Sequence, residues 1–477
     1  MFDSRGRTTA VLVQRMAAAV RAENRAVGQR LTIIGELDVL RSREVGERET
    51  WLTDTQEALS AEIGAALGIA PALAASYLYY SPALRLRLPR VGALLVAGDI
   101  DYRTFQTIVY RTELLIDDDV MAAVDAQLAV RIPRWHALTQ GRLGAYADQI
   151  VARADRDAVR RRRDRYEDRE FCIWDAGSGL AEVFGRLVST DAHAVDARLD
   201  VLADTVCDRD PRTRKQRRAD AMGALAAGAE RLACRCRRPD CPAVAAAPPS
   251  AVVVHVIAEQ ASLDCRAPTP GSMIGADGLI PPEMVTELAR TAKLRPLIHP
   301  ADVAPEAGYA PSRGLADFVR CRDLTCRFPG CDRPALRCDI DHTIPYADGG
   351  PTHASNLKCL CRVHHLLKTF WGWHDKQLPD GTVIWTAPSG QSYVTAPGSA
   401  LLFPSLCVPT ADLEPPPSTR TDRCSDRGVI VPKRRRTRAQ NRANYIARQR
   451  KHNRQARQLR EKARSGLAPP DDEPPPF

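Results

Sequence analysis

The pattern of apolar and polar positions between residues 10 and 240 is predominantly helical. Apolar residues recur there at three- and four-residue spacing, and aromatic or β-branched runs are few. Residues 62–69 and 71–78 predict two short helices around a glycine turn. The second of these helices has no Arg, Asn or Gln that could read base edges. We therefore interpret the pair as helices that pack a core rather than as a DNA-reading helix-turn-helix.

Two stretches interrupt the helical pattern and predict strands. Residues 171–187 surround a glycine-containing loop and predict a β-hairpin. Residues 252–257 predict a further strand, which follows a Pro- and Ala-rich stretch at 242–250 that we interpret as a linker. The expected fold is mainly α with minor β. It has a helical domain at 1–240, then a linker and mixed α/β extension at 241–320.

The composition is that of a mostly folded, soluble chain. Of the 477 residues, 44% are hydrophobic and 26% charged, which is ordinary for globular proteins. No apolar run approaches the roughly 18 residues that a membrane span needs, and the first residues lack the apolar core of a signal peptide. We expect a cytoplasmic protein with no membrane partner. Fourteen cysteines in a reducing compartment then favour metal binding over disulfides.

The net charge of +10 is concentrated near the C-terminus. Residues 433–464, here called the basic segment, contain 14 Lys and Arg and a single acid, Glu461. Such a segment is an electrostatic footprint for a polyanion, so we expect DNA as partner and Arg434, Arg435 and Arg436 as phosphate contacts. We predict that 407–477 is a disordered Pro-rich and Arg-rich tail. A purely solubilising tail is the alternative.

Residues 321–376 concentrate side chains that bind metals. Six cysteines lie between Cys321 and Cys361, and five of the ten histidines lie between 342 and 374. The spacing predicts one structural zinc site with ligands from two local pairs, which are Cys326 with Cys331 and Cys361 with His364. Cys338 and Cys359 remain competing ligands.

A second group of cysteines precedes this region. Cys234, Cys236 and Cys241 are close in sequence and could supply three thiolates to a metal, with Cys207 or Cys265 as a distant fourth. The alternative is a flexible surface loop with free thiols.

The order of polar residues inside 321–376 predicts a ββα arrangement. Asp341 and His342 follow an alternating stretch, Asn356 precedes a strand at 357–360, and His365 opens a helix. In these residues, and in Cys361 and Lys368, the chain resembles the HNH endonuclease family. The resemblance implies an HNH module at 321–406 that includes a following hairpin.

The HNH resemblance also implies roles for individual residues. His342 would be the general base on a water, Asp341 and His365 would hold one catalytic divalent cation (Mg²⁺, Mn²⁺ or Ni²⁺), and Asn356 would brace the loop. Lys368 would contact a DNA phosphate. These parts suit phosphodiester hydrolysis, because a cation neutralises developing charge while a base supplies the nucleophile. The sequence departs from the commonest pattern in having His364 where a fourth zinc cysteine is usual.

Residues 30–406 as a whole resemble the actinobacterial 13E12 repeat family, which combines a helical domain of unknown function with a C-terminal HNH module. The leading hypothesis is an HNH-type metal-dependent DNA endonuclease. Its alternative is a zinc-stabilised nucleic-acid-binding protein from a repeated or mobile element, without significant cleavage. A third interpretation is a helical interaction protein with a merely structural module. No small-molecule substrate is expected, and protein partners remain open.

Overall fold

The computed structural model describes residues 2–465, apart from 45, 136–137, 160–168, 178, 239, 242–253, 265, 275–278, 291, 302 and 412–430. The described chain is mainly helical with small antiparallel sheets, as the sequence predicts.

The described residues of the N-terminal body form seven α-helices. They are α1 (Phe2–Glu44), α2 (Thr55–Leu67), α3 (Pro71–Pro82), α4 (Pro89–Ala97), α5 (Tyr102–Thr112), α6 (Asp118–Arg131) and α7 (Gln140–Ala154). Helices α2, α5 and α6 each begin after an aspartate, Asp54, Asp101 and Asp117, whose carboxylate accepts a backbone N–H of the first turn. Leu95 and Phe105 are fully buried in the core that α1 and α3–α7 share.

The predicted pair of short helices around a glycine is confirmed in α2 and α3. Gly68 ends α2 with a φ of 62°, a left-handed conformation that glycine adopts without steric cost. Ile63 of α2 and Leu78 of α3 are buried together against Ile34 of α1. The pair therefore packs a core, as the sequence indicates.

The middle of the chain holds the predicted hairpin and several short elements. Strands β1 (Glu170–Gly177) and β2 (Leu180–Arg186) pair antiparallel, which confirms the hairpin. The elements that follow are α8 (Ser189–Ala203), α9 (Arg214–Ala226), β3 (Val256–Ile257), α10 (Gln260–Leu263), β4 (Gly271–Met273), β5 (Leu279–Ile280) and α11 (Pro282–Ala289). Of the predicted strand at 252–257, residues 256–257 form β3, residues 254–255 are not in a strand, and residues 252–253 lie outside the described residues. The proposed linker at 242–250 lies outside the described residues.

The C-terminal unit contains one helix, two paired strands, a second helix and a small sheet. They are α12 (Arg313–Asp323), β6 (Cys338–His342), β7 (Leu357–Cys361), α13 (Arg362–Phe370), β8 (His374–Gln377), β9 (Val383–Thr386) and β10 (Ser392–Thr395). Strand β6 pairs with β7, and β8–β10 form an antiparallel sheet in the order β10-β9-β8. This sheet contains the predicted hairpin.

The predicted domain boundary at residue 321 falls inside α12. Phe318 and Val319 of α12 are buried with Trp373 and Trp385, so this helix is part of the core of the C-terminal unit. The unit also packs on the N-terminal body, because Trp371 donates its indole N–H to the carbonyl of Thr53.

The prediction that the basic segment is disordered is wrong. Helix α14 (Arg438–Ser465) occupies most of it and lies along the N-terminal body. Its apolar content is too low to predict a buried helix face. The helix is held instead by arginines that meet carboxylates far away in sequence, and these pairs are Arg438–Asp54, Arg442–Glu113, Arg450–Asp155, Arg454–Asp157 and Arg457–Asp157. Residues 412–430 and 466–477 of the predicted tail lie outside the described residues.

No single helix in the described part of the chain is long and apolar enough to cross a membrane. One bent helix pair, Thr55–Leu67 with Pro71–Arg87, reaches the necessary length and composition only when its two helices are taken together. Several of its apolar side chains, Leu78 among them, are buried in the protein core.

Candidate functional site

Four side chains of the C-terminal unit form a cluster whose ligand atoms are those of a structural zinc site. The ligand atoms of Cys326, Cys331, Cys361 and His364 all lie within 4.8 Å of one another. Nδ1 of His364 is 3.4 Å from Sγ of Cys326 and 3.3 Å from Sγ of Cys361. Three thiols and one imidazole suit zinc in tetrahedral coordination. The cluster could therefore bind a structural zinc-like metal through the predicted ligands.

Local structure explains how these four residues meet. Cys326 and Cys331 flank a turn in which Gly330 has a φ of 73°. Cys361 ends β7 and His364 lies in the first turn of α13. The His364 ring stacks on Phe328 with centroids 4.0 Å apart, and the backbone N–H of Cys361 donates to Sγ of Cys326. These contacts orient two of the ligands before any metal arrives.

The two competing cysteines lie outside the group of four whose ligand atoms meet within 4.8 Å, although Cys338 also interacts with Cys326. Sγ of Cys338 donates to the carbonyl of Pro334 at 3.3 Å, and Cys359 is fully buried in the core beneath α12. Burial raises the pKa of the Cys359 thiol well above its ordinary value. Neither residue belongs to the cluster, so the geometry selects the four predicted ligands.

Strands β6 and β7 and helix α13 form a ββα unit next to this cluster. The strands pair antiparallel with Asp341 opposite Lys358 and His342 opposite Leu357, and α13 begins directly after β7. Side chains two residues apart on a strand share a face. Asp339 and Asp341 therefore both face His365 of α13.

The structure brings Asp341 and His365 together, as predicted. Nε2 of His365 is 3.3 Å from Oδ1 of Asp341, and its Nδ1 is 3.0 Å from Oδ2 of Asp339. Asp341 is buried, whereas 24% of the His365 side chain is exposed. The pair thus presents one carboxylate oxygen and one imidazole nitrogen at the edge of the unit.

His342 is held by contacts from outside the strand pair. Its Nε2 is 2.9 Å from Oγ1 of Thr352, and its ring stacks on Tyr309 with centroids 5.3 Å apart. Burial lowers the pKa of His342, and the ammonium groups of Lys358 and Lys368 lower it further, although Asp341 acts in the opposite direction. Burial therefore favours the neutral form of the imidazole.

Asn356 spans the loop between β6 and β7. Its Oδ1 accepts the backbone N–H of Ile344 at 2.8 Å, and its Nδ2 donates to the carbonyls of Ile344 and Pro351. The side chain is buried. This geometry agrees with the bracing role that the HNH resemblance implies.

Lys368, which the HNH resemblance implies as a phosphate contact, is largely buried beside Asp341. Its Nζ lies 2.7 Å from Oδ2 of Asp341 and also donates to the carbonyls of His342 and Thr343. Only 12% of the side chain is exposed. The position of Lys368 on the helix, one turn after His365, suggests a phosphate contact. The Lys368 side chain points inward instead, because the Asp341 carboxylate lies beneath it.

Two further charged residues complete the network, and sequence reasoning missed both. Lys358 is fully buried and pairs with Oδ2 of Asp341 at 2.8 Å and with Asp375 of β8. Burial alone would lower the pKa of Lys358, but the carboxylates of Asp341 and Asp375 raise it above its ordinary value. Asp375 also meets Lys368 at 3.2 Å. The position of Lys358 opposite Asp341 in the strand pair could have indicated their ion pair. No pattern in the sequence indicates that Asp375 joins them.

The comparisons with known proteins match residues 18–323 to a family and nearly the whole chain to individual relatives. Residues 18–323 match the family described as Domain of unknown function (DUF222). This chain belongs to the DUF222 family. The uncharacterized protein Rv3776 of Mycobacterium tuberculosis is 44% identical over 93% of this chain and 90% of its own length. The uncharacterized protein Rv2100 of the same species is 43% identical over 91% of this chain and 86% of its own length. No solved structure matches.

The DUF222 match ends at Asp323, the last residue of α12. It therefore includes the N-terminal body and the middle elements, and it stops before the metal cluster and the ββα unit. The predicted contacts in the basic segment also lie beyond it. Arg434 pairs with Asp54 of the DUF222 body at 2.5 Å, while Arg435 and Arg436 are exposed.

Proposed function

We propose that this DUF222 protein is an HNH-type metal-dependent DNA endonuclease that hydrolyses phosphodiester bonds. The observation that carries the proposal is the ββα unit itself. Asp341 and His342 end β6, His365 opens α13 beside them, and the Cys326, Cys331, Cys361 and His364 cluster closes the unit at its other end. Of these residues, Asp341, His342, Cys361 and His365 also carry the HNH resemblance in the sequence.

The hydrogen bonds around His342 leave one ring nitrogen available as a base. The hydroxyl of Thr352 donates its single hydrogen to the carbonyl of Gly308 at 2.6 Å. Its oxygen therefore accepts a hydrogen bond from the N–H at Nε2 of His342. This arrangement selects the tautomer with an unprotonated Nδ1. A neutral imidazole with a free Nδ1 suits proton abstraction from a water.

Asp341 and His365 would hold the catalytic cation. The donors fit, because Oδ1 of Asp341 and Nε2 of His365 converge and Oδ1 has no lysine contact among the described residues. A bound divalent cation would neutralise charge on the scissile phosphate and on the leaving alkoxide. Lys358 and Lys368 add positive charge beside the same carboxylate, while Asn356 holds the loop that connects the two strands.

A plasmid-cleavage assay across Mg²⁺, Mn²⁺ and Ni²⁺ tests the proposal. We expect His342→Ala to lower the rate by about 10² to 10⁴, the scale of general-base catalysis. His365→Ala should weaken metal binding, so that raised metal concentration restores part of the activity. His193→Ala is the matched control, because this exposed histidine of α8 lies outside the site. If a folded His342→Ala variant cuts as fast as wild type at every metal concentration, the proposal is wrong.

The second candidate is a zinc-stabilised nucleic-acid-binding protein without significant cleavage. One observation favours it: the ammonium groups of Lys358 and Lys368 both lie within 2.8 Å of Oδ2 of Asp341, so the carboxylate is already neutralised. This candidate predicts salt-dependent DNA binding with no cleavage in any of the three metals. Cleavage that disappears in His342→Ala would exclude it.

A further inference from the structure

We infer that Cys207, Cys234, Cys236 and Cys241 form a second structural zinc site, located in the DUF222 region and separate from the proposed nuclease unit. Their four Sγ atoms lie within 4.8 Å of one another, and Sγ of Cys207 is 3.5 Å from Sγ of Cys234. Four thiolates are a donor set for tetrahedral structural zinc. Of the two distant cysteines that the sequence offers as a fourth ligand, the structure brings in Cys207. Cys265 lies outside the described residues.

The four cysteines come from both ends of α9. Cys207 lies in the turn between α8 and α9, and the other three follow α9. Two hydrogen bonds join the same segments, since Leu232 donates its backbone N–H to Oγ1 of Thr205 and Arg235 donates its N–H to Oδ2 of Asp210. A metal at the cluster would close a loop that contains the whole of α9.

The backbone around the cluster resembles that around the Cys326, Cys331, Cys361 and His364 site. The backbone N–H groups of Arg209 and Arg238 lie close to the sulfurs of Cys207 and Cys236, respectively. In the other site, the N–H of Cys361 donates to Sγ of Cys326. An N–H group beside a sulfur favours its thiolate form, which is the form that binds zinc.

Backbone conformation indicates that the turn after Cys236 is held in place. Arg237 has a φ of 58°, a left-handed conformation that costs a non-glycine residue about 1 kcal/mol or more. Among the described residues, the other non-glycine residue with positive φ is Leu324, two positions before Cys326. Each candidate metal site therefore has one non-glycine residue with positive φ within two positions of one of its cysteines.

The apolar core around α9 is too small to hold this part of the chain alone. Ala221 is the buried residue of α9, the neighbouring α8 adds Leu202 and Ala203, and the segment after α9 adds Ala229 and Leu232. Alanine side chains bury little apolar area. A structural metal supplies the missing stability in units of this kind, because its binding free energy becomes folding free energy.

The charges around the cluster suit metal-bound thiolates. Four thiolates carry more negative charge than one Zn²⁺ neutralises. Arg235, Arg237 and Arg238 lie between the ligands in sequence, and Arg238 interacts electrostatically with Cys236, Cys207 and Cys241. These arginines offset part of the excess negative charge, while Arg238 also pairs with Asp240 and Arg235 also pairs with Asp220.

Zinc content of the full-length protein tests the inference directly. We expect two zinc ions per chain in wild type, one in Cys236→Ser and one in Cys361→Ser. Cys172→Ser is the matched control, because Cys172 lies on β1 outside both clusters, and it should retain two. A wild-type protein with one zinc that is lost entirely in Cys361→Ser, or two zinc ions retained in Cys236→Ser, would overturn the inference.

A measurement on wild type alone avoids the folding of variants. Thiols are alkylated with N-ethylmaleimide before and after chelation, and the peptides that contain residues 207 and 234–241 are quantified by mass spectrometry. We expect protection before chelation and modification after it, with Cys172 modified in both cases. Alkylation at the rate of Cys172 without chelation would overturn the inference. Protection that persists after chelation until a reductant is added would overturn it as well, because that result indicates a disulfide.

Discussion

At the scale of the residue, single hydrogen bonds set the orientation and the tautomer of the His342 ring. Thr352 is buried and connects Nε2 of His342 to the carbonyl of Gly308. The ring is therefore fixed in both orientation and tautomer by a residue that does not itself touch a substrate. Thr352 is a positioning residue in the proposed reaction.

Replacing Thr352 with Val removes the acceptor for Nε2 of His342 and keeps the shape of the side chain. We expect the cleavage rate to fall by about 10-fold to 100-fold, the usual scale for groups that orient active residues. Thr352→Ser should restore most of the rate because it restores the hydroxyl. The effect should appear in kcat and leave KM for DNA nearly unchanged. An equal loss in the Val and Ser variants would contradict the positioning role.

Lys368 distinguishes two roles that the sequence could not separate. If it neutralises Asp341, as the 2.7 Å contact indicates, Lys368→Gln removes one positive charge beside the proposed cation ligands. The metal concentration for half-maximal cleavage should then fall several-fold, by the electrostatics of a single nearby charge. Lys376→Gln is the control, because Lys376 belongs to the neighbouring strand β8. A weaker affinity for DNA with unchanged metal dependence would instead support the phosphate contact.

At the scale of the element, local signals in the sequence predict most of the candidate site. The β-hairpin, the ββα order and the ligand pairs Cys326 with Cys331 and Cys361 with His364 all follow from short-range spacing. Helix α14 does not, because it lacks an apolar face and its partners Asp54 and Asp157 lie about three hundred residues or more away in sequence. The buried charge network was only partly predictable for a similar reason. Lys358 lies opposite Asp341 in the strand pair, but its other partner, Asp375, comes from a different sheet.

Asn453 tests whether α14 is docked. It is buried and its Nδ2 donates to the carbonyls of Asp157 and Val159 at 2.8 and 2.9 Å. Asn453→Ala leaves those carbonyls without this donor, so the free energy of unfolding should fall by about 1–3 kcal/mol. Asn444→Ala, at an exposed position of the same helix, should change it by less than about 0.5 kcal/mol. Equal denaturation midpoints for the two variants would indicate that the helix does not dock.

At the scale of the whole molecule, arginines of the basic segment form ion pairs with acidic residues of the same chain. The basic segment carries 14 cations and one acid, and the rest of the chain is slightly acidic. Asp54 binds Arg434 and Arg438, and Asp157 binds Arg454 and Arg457. Arg435 and Arg436 remain exposed. Only part of the segment would therefore be available to the DNA that we propose as its partner, and the carboxylates of the body would compete with DNA for the rest.

Releasing the basic segment should therefore strengthen non-specific DNA binding. Asp54→Asn together with Asp157→Asn removes the carboxylates that hold four arginines, and Asn can still cap α2 in place of Asp54. The slope of log affinity against log salt should steepen by up to about 3–4, since each phosphate contact contributes about 0.9. Asp99→Asn with Asp264→Asn makes the same change in net charge away from α14, because these aspartates pair with Arg21 and Arg266. If both double variants show the same slope, the gain comes from net charge alone and the body does not compete with DNA for the basic segment.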